Sequence, residues 1–156
     1  MFTVKEIFNM AIQIEKNGEA VYRGVIEKIS DPALVSLLEW MADEEVKHAE
    51  WFASLKQELE LHSKKNLVQE ISRDFLKNLL GGQKFSLEGI DFSQVGQIND
   101  LIDVLIEFEK DTILFYEILK PFIQDEDTLL QLQKIINEEK HHIKQLQEFV
   151  AGKGLE

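Results

Sequence analysis

Cysteine is absent from this chain, which rules out disulfides, thiolate metal sites and thiol nucleophiles. Proline occurs only twice in 156 residues, so long stretches are free of helix breakers. No segment approaches the roughly 20 consecutive apolar residues that span a bilayer. The opening residues, Met1-Phe2-Thr3-Val4-Lys5-Glu6, contain no secretory apolar region, so a soluble cytoplasmic protein is expected. Basic residues are also scarce: 17 Lys and Arg face 29 Asp and Glu, a formal charge of −12. With no basic stripe to displace counterions from phosphates, nucleic acid and anionic membrane surfaces are not expected partners.

What the chain does contain is a repeat. Glu15, Tyr22, Glu45 and His48 recur as Glu109, Tyr116, Glu139 and His142, each displaced by 94 positions. Lys16 and Lys110, Asp31 and Asp125, Leu38 and Leu132, and Glu44 and Glu138 follow the same offset. The pattern is that of a duplicated helical hairpin. Four apolar seams fit it. The first reads Val4, Phe8, Ala11, Glu15, Gly18, Tyr22, Val25, Ile29; the second follows Asp31-Pro32 and reads Leu34, Leu38, Met41, Glu45, His48, Phe52, Leu55, Leu59. The third reads Ile98, Ile102, Leu105, Glu109, Thr112, Tyr116, Leu119, Ile123. The fourth, after Gln124-Asp125-Glu126-Asp127, reads Leu132, Ile135, Glu139, His142, Leu146, Phe149 and is expected to stop before Gly152.

An all-α, ferritin-like four-helix bundle is predicted, forming one domain over residues 1–156. Hairpin 1 covers about 2–61, a crossover about 62–97 and hairpin 2 about 98–151. Within the crossover, Leu67, Val68, Ile71, Phe75, Leu76, Leu79 and Leu80 fit a short amphipathic helix ended by Gly81-Gly82. A helix of some 27 residues is about 40 Å long. A connection of this size can climb the bundle and start the third helix at the opposite end. The Gly81-Gly82 hinge also permits exchange of hairpins between two chains, and a homodimer is expected.

Carboxylates in an apolar seam need compensation. Four of them at one level would repel one another, and no Lys or Arg falls on the seams. Proton sharing is one remedy and metal ions are another. Two histidines sit one turn from two of the glutamates and can offer neutral imidazole nitrogen. Two divalent cations, four carboxylates and two neutral imidazoles sum to no net charge, which makes metal the economical answer. In Glu45-Val46-Lys47-His48 and Glu139-Lys140-His141-His142 the three-residue spacing puts carboxylate and imidazole side by side on one helix face. Glu15 and Glu109 supply a carboxylate each from the other two helices, and both are placed to bridge. A single Glu-x-x-His is weak evidence. Two of them, with two lone glutamates each 30 residues upstream, match the ligand pattern of ferritin-like di-iron carboxylate bundles.

Other polar and aromatic residues divide less sharply. Tyr22 and Tyr116 lie two turns beyond Glu15 and Glu109; they are core aromatics whose hydroxyls need a partner, and a metal-bound carboxylate would serve. Trp40 and Trp51 lie off the seams and are expected to pack. His141 is turned about 100° from His142 and is expected at the surface. Glu44 and Glu138 are conceivable outer groups, although glutamates beside a buried one are usually solvated.

These residues resemble the rubrerythrin-like branch of the ferritin-like superfamily across nearly all of the chain outside the crossover. The resemblance rests on Glu15 with Tyr22, Glu45-Val46-Lys47-His48, Glu109 with Tyr116, and Glu139-Lys140-His141-His142. It implies a non-haem di-iron site with Glu15, Glu45, His48, Glu109, Glu139 and His142 as ligands, and reduction of hydrogen peroxide with electrons from a small iron-sulfur protein. Two departures stand out. Full-length rubrerythrins carry a cysteine-ligated rubredoxin domain that a cysteine-free chain lacks, so an external donor such as a rubredoxin is implied. They also carry an extra glutamate one turn beyond the third-helix ligand, where this chain has Thr112.

The expected function is therefore that of a di-iron oxidoreductase acting on peroxide or dioxygen. Carboxylate-rich, histidine-poor coordination suits two iron ions, or manganese. Iron handling by a ferroxidase is the alternative within the same class. A structural bundle with a vestigial site is the alternative from another.

Overall fold

The computed structural model describes residues 4–62 and 98–154. These form four α-helices: α1 (Val4–Ile26), α2 (Pro32–His62), α3 (Ile98–Leu119) and α4 (Glu126–Gly154). No strand occurs among the described residues. The repeat is visible in the caps. Asp31 Oδ1 accepts from the backbone N–H of Ala33 at 3.0 Å and Leu34 at 3.1 Å, with Pro32 in the first turn of α2. Its counterpart Asp125 uses Oδ2 to accept from the Thr128 N–H at 3.0 Å and the Thr128 hydroxyl at 2.6 Å. Each such cap contributes about 1 kcal/mol and sets where the second helix of its hairpin begins.

Helix ends depart from the seams in three places. α1 stops at Ile26 in a turn closed by Lys28 N–H to Val25 O at 2.8 Å, so Ile29 packs on the core from outside the helix. Pro121 cannot continue an α-helix, and α3 gives way to a 3-10 turn over Lys120–Phe122, with Ile123 buried beyond it. α4 does not stop before Gly152; it runs to Gly154. A helical glycine costs only about 1 kcal/mol relative to alanine, and no proline follows to end the helix.

α1 packs on α2 and α3 on α4. Two apolar clusters reveal how the hairpins are arranged. One joins Ile7, Phe8 and Ala11 of α1 to Phe52 and Leu55 of α2, Phe115 and Leu119 of α3, and Leu132, Ile135 and Ile136 of α4. The other joins Val25 to Leu34, Leu38, Met41, Leu101, Ile102, Leu105 and Leu146. The start of α1 thus shares one end of the bundle with the start of α4 and with the ends of α2 and α3. α2 finishes at that end and α3 begins at the other, in a bundle whose longest helix measures about 46 Å. The short helix expected around residues 67–80 and the Gly81-Gly82 hinge lie outside the described residues. Between the two clusters sits a single polar layer.

Candidate metal centre

That layer consists of the six residues singled out by the repeat. Glu15, Glu109, Glu139 and His142 are fully buried, and Glu45 and His48 almost so. No Lys or Arg is buried among the described residues. Ligand-type atoms fall into two overlapping groups, each within a 4.8 Å span: Glu15, Glu45, His48 and Glu139, and Glu45, Glu109, Glu139 and His142. Glu45 and Glu139 belong to both groups, whereas Glu15 and Glu109 belong to one each. Glu15 and Glu109, which the sequence placed where either could bridge, each reach one group, and the two Glu-x-x-His glutamates reach both. They come from α2 and α4, and each histidine faces the other motif's glutamate: His48 Nδ1 lies 2.8 Å from Glu139, and His142 Nδ1 lies 3.2 Å from Glu45.

The donor set suits a divalent cation, because buried ligand atoms crowd together with no Lys or Arg to balance the carboxylates. Buried polar atoms nearly always find partners. Among the described residues, those without a hydrogen bond of normal geometry are Glu15 Oε2, Glu45 Oε1, His48 Nδ1, Glu109 Oε2, Glu139 Oε1 and His142 Nε2. Each of the six residues contributes one such atom, and no other residue contributes any.

A profile of the rubrerythrin family matches residues 6–150. The chain belongs to the rubrerythrin family. Among solved structures, a Thermotoga maritima protein named as ferritin-like diiron-carboxylate aligns with a TM-score of 0.67 at 24% identity, covering 94% of this chain and 93% of that one. A hypothetical protein from Pyrococcus furiosus aligns with a TM-score of 0.67 at 21% identity over 94% of this chain and 87% of that one. At these identities the likeness concerns the fold. Comparison with curated proteins finds no match.

Within this rubrerythrin-family bundle the two tyrosines work across the hairpins. Tyr22 of α1 donates its hydroxyl to Glu109 Oε1 of α3, and Tyr116 of α3 donates to Glu15 Oε1 of α1 at 2.6 Å. Each lone glutamate is thereby oriented by the opposite hairpin, leaving its second oxygen without a hydrogen bond of normal geometry. Burial first, then the neighbouring carboxylates, hold both phenols well above their usual range and so protonated. Thr112, at the place of the family's extra glutamate, donates its hydroxyl to Phe108 O at 3.1 Å and is spent on its own helix. Its counterpart under the offset is Gly18. A Cβ there would meet Phe108 Cε1 at 3.2 Å and Glu45 Oε2 at 3.4 Å, so the missing side chain lets Glu45 lie against α1. A groove of about 220 Å³ between α1 and α2, lined among others by Ala49, Ala53 and Val46, reaches Glu15 and Glu45.

Trp40 is partly exposed and stacks edge-on against His141 and His142, while Trp51 packs on Phe52. His141 is exposed. Sequence reasoning undervalued Glu138. His48 Nε2 donates to its Oε2 at 2.6 Å, so this glutamate, one residue before a Glu-x-x-His motif, is tied to the other motif's histidine. Its offset pairing with Glu44 marked the position but could not say which of the two makes the contact.

Protonation follows from this crowding. With no cation to compensate them, burial and then Glu139 push Glu45 and Glu109 well above the carboxylate range. Burial alone would lower the histidines. The adjoining carboxylates of Glu139 and Glu15 override it and carry His48 to about 12, and Glu109 and Glu139 carry His142 to about 10. Burial would also raise Glu139, but Glu109 and both histidines bring it well below the usual range. Four groups therefore keep protons in the folded state that the unfolded chain gives up, the glutamates above 4.5 and the histidines above 6.5. Raised values of this sign stabilise the fold below the unfolded value, and that stability is lost as pH rises towards the folded one. Metal-stripped protein is thus expected to melt at progressively lower temperature from pH 6 to pH 9. Loading it with divalent cation near pH 7 should expel about four protons. Calorimetric titration in two buffers of different ionisation enthalpy measures that release; none would mean that these groups are already deprotonated without metal.

Proposed function

We propose that this chain is a di-iron oxidoreductase that reduces hydrogen peroxide, with Glu15, Glu45, His48, Glu109, Glu139 and His142 as the metal ligands. The observation that carries the reading is that four carboxylates and two imidazoles, all buried and with no buried Lys or Arg among the described residues, bring their ligand atoms into two groups each within 4.8 Å. Membership of the rubrerythrin family supports iron as the metal, as does a donor set of four carboxylates and two imidazoles. A pair of ferrous ions held by these residues would supply the two electrons of H2O2 + 2 e⁻ + 2 H⁺ → 2 H2O.

The protein's own contributions follow from the geometry. Glu45 and Glu139, shared by both ligand groups, set the spacing of the two positions. Glu15 and Glu109 close the outer sides under the aim of Tyr116 and Tyr22. Those phenols keep their protons and can donate hydrogen bonds within the layer. The apolar clusters above and below exclude bulk water, which strengthens every electrostatic contact between them. With no cysteine, the chain holds no rubredoxin-type iron of its own, and the two electrons that restore the resting state come from a separate donor protein.

Rapid mixing of anaerobic, Fe(II)-loaded protein with peroxide tests the reading. We expect one peroxide consumed per two irons, at about 1 s⁻¹ or faster, in the range of ordinary turnover. Absence of iron oxidation on that scale would sink the peroxidase assignment.

A further inference from the structure

The repeat relates His48 to His142 and Glu138 to Glu44, so a symmetric centre would hold both histidines in the same way. It does not. His48 Nε2 donates to Glu138 Oε2 at 2.6 Å, and a Glu44 oxygen lies within 4.8 Å of the ligand atoms of both. Glu44 itself pairs with Lys47 at 3.7 Å. His142 Nε2 is buried without a partner, and its ring meets Trp40 edge to face, centroids 5.2 Å apart at 81°. The offset pairs Trp40 with Lys134, so the repeat supplies no second indole at the matching position. Both acidic neighbours of the motifs are gathered on the His48 side.

We propose that Glu138 is a positioning residue that makes the two ion positions unequal, so that the position served by His48 binds its divalent cation first and more tightly. The inference rests on the reading of the six residues as a metal centre. By accepting from Nε2–H, Glu138 turns Nδ1 inward, towards Glu139 at 2.8 Å, Glu15 at 3.4 Å and Glu45 at 4.0 Å, and keeps a proton on Nε2 when a cation takes the place of the one on Nδ1. A carboxylate on the outer nitrogen also makes the imidazole a more basic ligand. His142 can present Nδ1 to Glu45, Glu139 and Glu109, at 3.2, 3.2 and 3.4 Å, only by leaving Nε2–H buried with no acceptor. The same ligand chemistry is therefore prepared in one half and left unprepared in the other.

Cobalt(II) titration followed by absorbance tests this without turnover. Wild-type protein is expected to bind two ions in steps separated about 10–100-fold, the usual effect of an outer partner on metal affinity. His48→Ala should remove the tight step and His142→Ala the weak one. Glu138→Leu should weaken the tight step until the two merge. Glu138→Gln, whose amide oxygen still accepts, should fall between wild type and Glu138→Leu, and Glu44→Leu should leave the separation unchanged. Two equal steps in the wild type, or an unchanged tight step in Glu138→Leu, would overturn the proposal; if that variant does not fold, an unchanged tight step in Glu138→Gln does so. No stoichiometric cobalt binding by the wild type would refute the metal centre itself, and this inference with it.

Discussion

Alanine at position 139 is expected to abolish binding of both ions, whereas alanine at position 15 or 109 should remove only one. Glu139 contributes to both ligand groups, as does Glu45, and the lone glutamates contribute to one each. Truncating a shared carboxylate also leaves His48 Nδ1 without its nearest partner, now 2.8 Å away. The loss should exceed the roughly 10–100-fold that follows removal of an outer hydrogen-bond partner. Metal per chain after desalting, measured for the four single variants Glu15→Ala, Glu45→Ala, Glu109→Ala and Glu139→Ala, reads the outcome directly. Equal losses in all four would mean that the glutamates act as a symmetric cage, with no shared pair.

The second large effect is on stability and has the opposite sign. Replacing Glu45 and Glu139 together with leucine should stabilise the metal-stripped protein by about 1–4 kcal/mol, as exchange of buried charges for apolar side chains of similar size often does. The substitution leaves a carboxyl group beside each histidine, because His48 keeps Glu15 and His142 keeps Glu109, each at 3.4 Å. It also joins the two apolar clusters through the layer that separates them. For a chain of this length the melting temperature should rise by several degrees. Metal-loaded wild type should in turn exceed the stripped wild type, since binding to the folded state alone is itself stabilising. A double-leucine variant less stable than stripped wild type would show that the buried carboxylates hold the fold together rather than strain it. A gain from leucine together with no metal binding by the wild type would instead favour a vestigial site.

Much of this was legible before any coordinates, and the reason is geometric. Helical periodicity assigns each residue to a face, and the constant offset of 94 required that two sets of polar residues share one environment. The four helices, the six buried polar residues and the outward turn of His141 all follow from face and repeat. The pairing of Tyr22 with Glu109 and of Tyr116 with Glu15 needed one further fact, that α1 and α3 run in opposite directions. Which glutamates are shared depends on how far each helix is rotated about its own axis, and spacing along a chain does not determine that rotation. Glu44 and Glu138 occupy equivalent places in the repeat, so their difference arises from residues that break it, such as Trp40 opposite Lys134. The run of α4 through Gly152 reflects a weak stop signal, since a glycine inside a helix costs only about 1 kcal/mol.

Iron content of wild-type protein reconstituted anaerobically with Fe(II) and then desalted tests the central claim most directly. About two irons per chain, lost with Glu139→Ala, is the result predicted for a fixed pair held by these six residues. Retention of no iron, or of many irons per chain, would contradict it.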